Sequence, residues 1–413
     1  MAQKRNIIVG QSGGPTAVIN SSLAGVYKNA RERGFHKVYG MLHGIQGLLD
    51  EQYVDLSTQI HSDMDIELLK RTPSAFLGSC RYKLPEIHED AAIYERIFEV
   101  LDKLEIEAFI YIGGNDSMDT IKKLSDYAII KGHNQKFLGV PKTIDNDLAL
   151  TDHTPGFGSA AKYIATSTKE VIRDATGMTY NDKEAITIIE VMGRNAGWLT
   201  GATALARTEE CEGPDLIYLP EVVFDIDKFL KKTKELLAKK ESVVIAVSEG
   251  IKVADGRYVC ELSGGADYVD AFGHKQLQGT AAYLASFLGR ETGCKTRSIE
   301  FSTLQRSASH MASRVDVNEA FMVGGAAVKA ADEGDSGKMV VIDRLSDDPY
   351  TSAVGIYDVH RIANNEKVVP REWINEEGDY VTEAFIDYIE PLIQGFYQPF
   401  MVNGLPQHLV LKK

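Results

Sequence analysis

The chain has 413 residues, with 45 Lys and Arg against 59 Asp and Glu, which gives a formal net charge of −14 at pH 7. At about 150 residues per domain, this length predicts two or three domains. The acidic charge and the scattering of Lys and Arg argue against nucleic-acid binding, and no apolar run approaches the ~18 residues that cross a membrane. We therefore expect a cytoplasmic protein that binds neither nucleic acid nor membrane.

An apolar strand, a polar or glycine-rich turn and an amphipathic helix recur along the chain. Residues 6–10 (NIIVG) predict a buried strand, and apolar residues from Ile19 to Ala30 recur at helical spacing. The same unit follows at 108–112 (AFIYI). Further strands are predicted at 137–140, 186–192, 216–219, 243–247 and 339–342, and a helix at 225–240. This alternation predicts an α/β fold with mostly parallel sheets covered on both faces, in which ligands bind at the turns beyond the carboxyl ends of the strands.

The turn after the first strand, residues 11–16 (QSGGPT), contains the adjacent glycines Gly13 and Gly14. Glycines let backbone N–H groups approach an anion closely, and the N-terminus of the following helix adds partial positive charge. Phosphate binding is therefore one interpretation of this turn. A tight turn that needs glycine only for its dihedral angles is the other.

The turn at 113–117 (GGNDS) repeats this pattern and adds a carboxylate. Asn115 and Asp116, next to a phosphate-binding backbone, indicate an oxygen-ligated Mg²⁺, which takes one or two protein ligands together with phosphate oxygens and water. The alternative is that Asp116, with Ser117, caps the helix.

The turn at 140–147 (VPKTIDND) concentrates polar groups at the edge of the predicted sheet. It contains Lys142, Thr143, Asp145 and Asp147. One carboxylate here suits a general base acting on a hydroxyl group, and the other suits a metal or substrate contact. The alternative is an Asx-rich loop without a catalytic role.

Three later segments carry candidate anion-binding or sugar-binding groups. Arg194 follows a strand in the turn at 192–197 (MGRNAG), where a guanidinium suits bidentate phosphate recognition. Glu249 follows the next strand, where its carboxylate suits sugar hydroxyls. Arg297 and Arg306 flank a short predicted strand, and together they suit an anion, although each alone is typical of a surface charge.

Taken in order, these turns resemble the phosphofructokinase family. The family-like motifs are GG at 13–14, GGNDS at 113–117, TIDND at 143–147, MGR at 192–194, SEG at 248–250 and LQR at 304–306. PKTIDND followed by MGR is the most specific part, and the resemblance extends from about residue 7 to residue 306. It implies two three-layer αβα domains with the active site in the cleft between them, and a homodimer or homotetramer.

The resemblance also implies a division of the chain. Residues 1–155, with part of 307–413, are expected to bind the phosphoryl donor and Mg²⁺, and residues 156–306 are expected to bind fructose 6-phosphate. Residues 330–413 are expected to form a C-terminal extension without an assigned role.

The resemblance implies a role for each motif residue. Asp145 is the expected general base that takes the proton from the C1 hydroxyl of fructose 6-phosphate, with Lys142 and Asp116 as further catalytic groups. The expected sugar-phosphate residues are Thr143, Ile144, Asp145, Asp147, Met192, Gly193, Arg194, Glu249, Arg297, Thr303 and Arg306. The expected donor residues are Gly13, Gly14, Arg81, Gly114, Asp116, Ser117 and Lys142, and the expected Mg²⁺ ligands are Asn115 and Asp116.

Two departures from the ATP-dependent pattern decide the expected donor. ATP-dependent members resemble GGDGS and PGTIDND, whereas this chain has Asp116 and Lys142 in place of the glycines. The added carboxylate disfavours the α-phosphate of ATP by its bulk and charge, and the added ammonium favours a compact polyanion. Both changes resemble the pyrophosphate-dependent branch, so the expected glycolytic reaction is reversible phosphoryl transfer from pyrophosphate to fructose 6-phosphate, giving fructose 1,6-bisphosphate and phosphate. The alternatives are an ATP-dependent phosphofructokinase and a non-catalytic regulatory subunit that binds sugar phosphate.

Overall fold

The computed structural model describes residues 5–178, 184–263 and 277–412. The chain divides into two units: unit 1 comprises residues 1–159, 306–366 and 394–413, and unit 2 comprises residues 160–305 and 367–393. The domain boundaries expected from the sequence were 155/156 and 306/307, and the units divide at 159/160 and 305/306. The stretch 330–413 is not a separate extension, because its parts belong to both units.

Strands and helices alternate through most of the chain. The strands are β1 (Asn6–Gln11), β2 (Lys37–Met41), β3 (Tyr53–Asp55), β4 (Ile106–Gly113), β5 (Lys136–Pro141), β6 (Ala185–Val191), β7 (Leu216–Tyr218), β8 (Ser242–Ser248), β9 (Lys295–Glu300), β10 (Lys338–Asp347), β11 (Tyr350–Asp358), β12 (Met401–Val402) and β13 (Leu405–Pro406). The helices are α1 (Ile19–Glu32), α2 (Gly44–Leu49), α3 (Asp63–Arg71), α4 (Ala91–Lys103), α5 (Asn115–Lys131), α6 (Phe157–Gly177), α7 (Trp198–Gly201), α8 (Ile226–Leu237), α9 (Thr280–Thr292), α10 (Leu304–Ser307), α11 (Arg314–Asp332) and α12 (Glu383–Ile389).

Unit 1 is built on a seven-stranded sheet with the order β11-β10-β5-β4-β1-β2-β3. Its five inner strands run parallel, and β3 and β11 are antiparallel edge strands. Side chains of β1 alternate between two cores: Ile7 and Val9 pack with α1 and α11, and Ile8 packs with α4 and α5 on the opposite face. The prediction of a mostly parallel sheet covered by helices on both faces is confirmed.

Two glycines let α1 and α11 pack with their backbones in contact. A Cβ at Gly25 in α1 would lie 2.1 Å from the carbonyl oxygen of Phe321. A Cβ at Gly324 in α11 would lie 2.1 Å from the carbonyl oxygen of Ser22. This packing holds α11, which contains none of the motifs described above, against the helix that follows the first glycine turn.

Unit 2 contains a four-stranded parallel sheet with the order β7-β8-β6-β9. Burial is nearly complete along β6 and β8, which end at Val191 and Ser248, directly before the MGR turn and Glu249. The edge strand β9 (KTRSIE) is polar and largely exposed. In the described ranges of both units, no helix is both long enough and apolar enough to cross a membrane.

Candidate active site

The turn that follows β5 places a buried lysine against the glycine turn that follows β1. Lys142 is 3% exposed, and its Nζ donates a 2.7 Å hydrogen bond to the carbonyl oxygen of Gly14. A Cβ at Gly13, whose φ is +75°, would lie 3.2 Å from Nζ of Lys142. Arg306 reaches the same turn, since a Cβ at Gly14 would lie 3.1 Å from its Nη1. The two glycines therefore allow two cations to approach the backbone closely.

The charges around Lys142 favour an anionic ligand. The pKa of Lys142 is lowered to about 8, chiefly by burial. The positive charges of Arg306 and Arg81 also lower it, whereas the negative charges of Asp145 and Asp147 raise it. A bound anion relieves both the repulsion among these cations and the cost of burying Lys142. The sequence predicted Lys142 and Arg81 as donor residues, whereas it assigned Arg306 to the sugar phosphate. In the structure Arg306 lies beside the glycine turn of unit 1.

The two carboxylates of the TIDND turn have different environments. The backbone N–H of Asp145 donates to Oγ1 of Thr143 at 3.0 Å, and the same hydroxyl lies 3.4 Å from Oδ2 of Asp145. Burial and, next, the negative charge of Asp145 raise the pKa of Asp147 to about 7. Asn146 lies between them with φ of +55°, a left-handed conformation that Asn adopts more readily than most residues. A hydrogen-bonded carboxylate beside a second one that titrates near neutrality is an arrangement suited to proton transfer.

The GGNDS turn leads into α5, whose N-cap residue is Gly114. Asp116 lies inside the first helical turn, where the positive end of the helix stabilises a carboxylate. The alternative that Asp116 caps the helix is therefore wrong. A Cβ at Gly113 would lie 1.9 Å from Oγ of Ser117, so this close approach of strand and helix requires glycine. The backbone N–H of Lys142 donates to the carbonyl oxygen of Gly113 at 3.0 Å, which places the GGNDS turn beside the lysine turn.

The amide of Asn115, an expected Mg²⁺ ligand, is held by the chain at 364–365. Its Nδ2 donates to the carbonyl oxygen of Asn365 at 3.0 Å, and its Oδ1 accepts from the backbone N–H of Asn364 at 2.5 Å. Nδ2 of Asn364 also donates to Oδ1 of Asp119 at 3.1 Å. Asn115 therefore anchors a distant segment to the first turn of α5, a task that no sequence motif indicated.

Potential Mg²⁺ ligands do not form a ready-made cluster in the described part of the chain. Among residues 5–178, 184–263 and 277–412, no three His, Cys, Asp or Glu side chains cluster as a metal site. Mg²⁺ bound with phosphates usually takes only one or two carboxylates, and completes its coordination with phosphate oxygens and water. Asp116 and the acidic pair of the TIDND turn fit this sparse ligation.

In unit 2, the MGR and SEG turns interlock at the ends of β6 and β8. The backbone N–H of Gly193 donates to Oε1 of Glu249 at 3.4 Å, and Oγ of Ser248 donates to the carbonyl oxygen of Gly193 at 2.5 Å. The backbone N–H of Met192 donates to Oε1 of Gln305 at 3.3 Å, which ties the segment containing Thr303 to the same turn. The structure thus brings together Met192, Gly193 and Glu249, which the resemblance assigned to the same substrate.

Arg297 does not join this turn within one chain. It lies on β9 opposite Thr187 of β6, whereas Met192 is five residues farther along, a distance of about 16 Å at 3.3 Å per residue. Its guanidinium is exposed and donates from Nη1 to Oδ2 of Asp174 at 3.2 Å. Arg297 was expected to bind the sugar phosphate together with Arg194, but parallel pairing places it midway along the edge strand β9, away from the MGR turn of its own chain.

A buried carboxylate that the sequence analysis did not single out lies in β6. Glu190 is 5% exposed and accepts a 2.8 Å hydrogen bond from the backbone N–H of Ala281 at the start of α9. Burial raises the pKa of Glu190 to about 7. The signal was present in the apolar run ITIIEVM, because a lone acid in a buried strand requires hydrogen-bond donors.

Comparison with known proteins identifies the family to which these turns belong. The family model described as phosphofructokinase matches residues 6–331. This chain belongs to the phosphofructokinase family. The match extends beyond the last motif found in the sequence, through α11, and so includes the helix that packs against α1.

Individual relatives of this phosphofructokinase cover nearly the whole chain. It is 43% identical to a pyrophosphate–fructose 6-phosphate 1-phosphotransferase from Halomonas elongata, over 100% of this chain and 97% of that protein. A protein of the same name from Xanthomonas campestris pv. campestris is 43% identical, over 98% and 96% of the two chains. The crystal structure of a pyrophosphate-dependent phosphofructokinase from Nitrosospira multiformis matches with a TM-score of 0.89 at 38% identity, covering 100% of this chain and 99% of that chain.

Proposed function

We propose that this phosphofructokinase transfers a phosphoryl group reversibly from pyrophosphate to the C1 hydroxyl of fructose 6-phosphate, giving fructose 1,6-bisphosphate and phosphate. The observation that carries the proposal is Lys142, a buried ammonium bonded to the glycine turn at the position where ATP-dependent members have glycine. The names of the full-length relatives support the same donor.

The acidic turn supplies the base. Asp145 takes the proton of the C1 hydroxyl, and the oxygen then attacks a phosphorus atom of pyrophosphate while phosphate leaves. The hydroxyl of Thr143 accepts from the backbone N–H of Asp145 and donates to its carboxylate at 3.4 Å, which orients this residue. Asp147 and Ile144 complete the turn, and Asp147, whose pKa is raised to about 7, places a second titratable carboxyl group beside the base.

The donor lies against the cationic turn. Lys142 and Arg306, which lie beside the glycine turn, and Arg81, whose charge acts on Lys142, would neutralise the negative charge of pyrophosphate. The backbone N–H groups at the start of α5 add the positive end of a helix dipole. The backbone groups of this donor set belong to Gly13, Gly14, Gly114 and Ser117. Catalysis here depends on position and charge neutralisation more than on covalent chemistry with the protein.

The carboxylates present fit Mg²⁺ as the metal. Asp116 and Asp145 would hold it, with Asn115 positioned by Asn364 and Asn365 beside them. When bound, Mg²⁺ neutralises phosphate oxygens and orients the donor. Asp116 also opposes ATP, because its charge and bulk stand at the first turn of α5.

The sugar phosphate is bound by residues of unit 2. Met192, Gly193 and Glu249 contact the sugar, and Arg194 binds the 6-phosphate, with Thr303 in the neighbouring segment. Arg297 serves the 6-phosphate of a second copy, since the pairing of β9 keeps it about 16 Å from the MGR turn of its own chain. The proposal therefore includes a homodimer or homotetramer.

Replacement of Asp145 tests catalysis against a purely regulatory role. Asp145→Asn should reduce kcat with pyrophosphate by at least about 10²-fold, because the general base is lost, and leave the KM for fructose 6-phosphate within about threefold. Asp126→Asn, which changes a carboxylate of α5 bonded to His360, is the matched control and should retain full activity. A wild-type protein that binds fructose 6-phosphate without turnover, or an Asp145→Asn variant with unchanged kcat, would contradict the proposal.

A further inference from the structure

A buried histidine lies a few residues after the TIDND turn and is bonded to a carboxylate on each side. His153 is 1% exposed. Its Nδ1 lies 2.7 Å from Oδ2 of Asp152, and its Nε2 lies 2.6 Å from Oε2 of Glu319 in α11. Burial alone would lower the pKa of His153, but the charges and hydrogen bonds of Glu319 and Asp152 raise it to about 9. The ring is therefore an imidazolium at neutral pH, with both nitrogens donating.

Both carboxylates are themselves fixed by other elements of unit 1. Nη2 of Arg344 in β10 donates to Oδ2 of Asp152 at 3.0 Å. The hydroxyls of Tyr350 and Ser352 in β11 each donate to Oε1 of Glu319 at 2.6 Å. We call these six side chains the His153 cluster: Asp152, His153, Glu319, Arg344, Tyr350 and Ser352. It joins the loop after the TIDND turn to α11, β10 and β11.

The loop held by the His153 cluster is bonded directly to the TIDND turn. Oγ1 of Thr154 donates to the carbonyl oxygen of Thr143 at 2.8 Å, and the backbone N–H of Thr143 donates to the carbonyl oxygen of Pro155 at 3.3 Å. Thr154 and Pro155, the two residues that follow His153, thus form hydrogen bonds with the C=O and the N–H of Thr143. The hydroxyl of the same threonine bonds to Asp145.

A second carboxylate of α11 holds the far side of this loop. Asp316, buried and one helical turn before Glu319, accepts from the backbone N–H of Gly156 at 2.9 Å and of Ser159 at 2.8 Å. On the near side, Oγ1 of Thr151 accepts from the backbone N–H of Ile342 in β10 at 3.0 Å. Both ends of the loop are thus fixed, and the contacts of His153 hold the middle of the loop between them.

We infer that His153 is a positioning residue for phosphoryl transfer: its contacts with Asp152 and Glu319 fix residues 151–156, which hold Thr143 so that Asp145 faces the acceptor hydroxyl. The inference rests on the proposed role of Asp145 as general base. A buried ion cluster of this kind is poorly explained by stability alone, because apolar residues of similar volume usually stabilise a core at least as well. The carboxylates of Asp152 and Glu319, bonded to the charged ring of His153, instead restrict the loop to one arrangement.

The inference predicts an effect on kcat that is separate from folding and from sugar binding. His153→Gln keeps a side chain of similar size but removes the charge, so the loop loses its fixed position. We expect kcat with pyrophosphate to fall 10- to 100-fold, with the KM for fructose 6-phosphate within about twofold, because the residues proposed to bind the sugar belong to unit 2.

The matched control is His360, an exposed histidine of unit 1 that also lies between two carboxylates, Asp358 and Asp126. His360→Gln should leave kcat and the KM for fructose 6-phosphate unchanged. Tyr350→Phe removes one hydrogen bond from Glu319 without changing charge, and it should lower kcat two- to fivefold even if His153→Gln fails to fold. Combining Tyr350→Phe with His153→Gln should lower kcat by less than the product of the two separate effects, because both act through Glu319.

The inference would be overturned if a folded His153→Gln variant kept the kcat of the wild type. It would equally be overturned if Tyr350→Phe lowered the melting temperature without lowering kcat. These outcomes differ from a failure of the proposed function, which would appear as a wild-type protein without turnover of pyrophosphate.

Discussion

At the scale of single residues, the ionisation of Lys142 should make the use of pyrophosphate depend on pH. Its pKa is lowered to about 8 by burial, from an ordinary value of 10.5, so the ammonium loses its proton as the pH rises through about 8. Since the proposed donor is an anion held by this charge, kcat/KM for pyrophosphate should fall above about pH 8. Lys142→Met should show low kcat/KM at all pH values and lack this alkaline limb. Steady-state kinetics from pH 6 to 10 measures both, and a wild-type profile that is flat to pH 10 would contradict the assignment.

Two residues are proposed to select the donor, and they can be changed together. In Asp116→Gly/Lys142→Gly, the carboxylate that opposes ATP and the ammonium that attracts pyrophosphate are both removed. We expect kcat/KM for pyrophosphate to fall at least tenfold and the ratio of ATP to pyrophosphate activity to rise at least tenfold. Parallel assays of the two donors measure the ratio. An unchanged ratio would mean that donor choice lies elsewhere, with the segment at 364–365 that binds Asn115 as the next place to examine.

At the scale of secondary-structure elements, the contact of α1 with α11 limits what can replace glycine. Gly324→Ala would place a Cβ 2.1 Å from the carbonyl oxygen of Ser22, a backbone atom that cannot move without separating the helices. We expect the free energy of unfolding to fall by about 1–3 kcal/mol. Gly177→Ala, at the end of α6 where a Cβ would meet nothing within 4 Å, is the matched control and should be neutral or slightly stabilising. Chemical denaturation measures both; equal stability of the two variants would show that the helices separate at little cost.

The elements that the sequence predicted are those with long buried apolar runs. The strands expected at 108–112, 137–140 and 243–247 correspond to β4, β5 and β8, each of which is longer by one or two residues at either end. The edge strand β11, with the sequence YTSAVGIYD, was not predicted, because its side chains are mostly half-exposed and give no apolar run. The strand β2 was not predicted either, because it is short and interrupted by Gly40.

The site was predictable where one turn carries the chemistry, and it was not predictable where distant segments meet. The TIDND turn could be recognised from its local polar density alone. The packing of Arg306 beside Gly14 and the hold of Asn364 on Asn115 depend on tertiary contacts that no spacing encodes. The position of Arg297 depends on the register of β9 against β6, and the sequence around Arg297 does not specify that register.

At the scale of the whole molecule, a net charge of −14 coexists with a site for anions. The conflict is resolved locally, because Lys142, Arg81 and Arg306 act on one turn of unit 1. The net charge argued against nucleic-acid binding, which needs an extended basic surface. It does not bear on a small polyanion, which needs only a few cations on one turn.

The donor comparison tests the central claim most directly. Purified protein is supplied with fructose 6-phosphate and Mg²⁺, and with either pyrophosphate or ATP at equal concentration, while fructose 1,6-bisphosphate is measured. The account predicts rapid formation of the bisphosphate with pyrophosphate, at least about 10²-fold slower formation with ATP, and the reverse reaction when bisphosphate and phosphate are supplied. Turnover with ATP and none with pyrophosphate would contradict it.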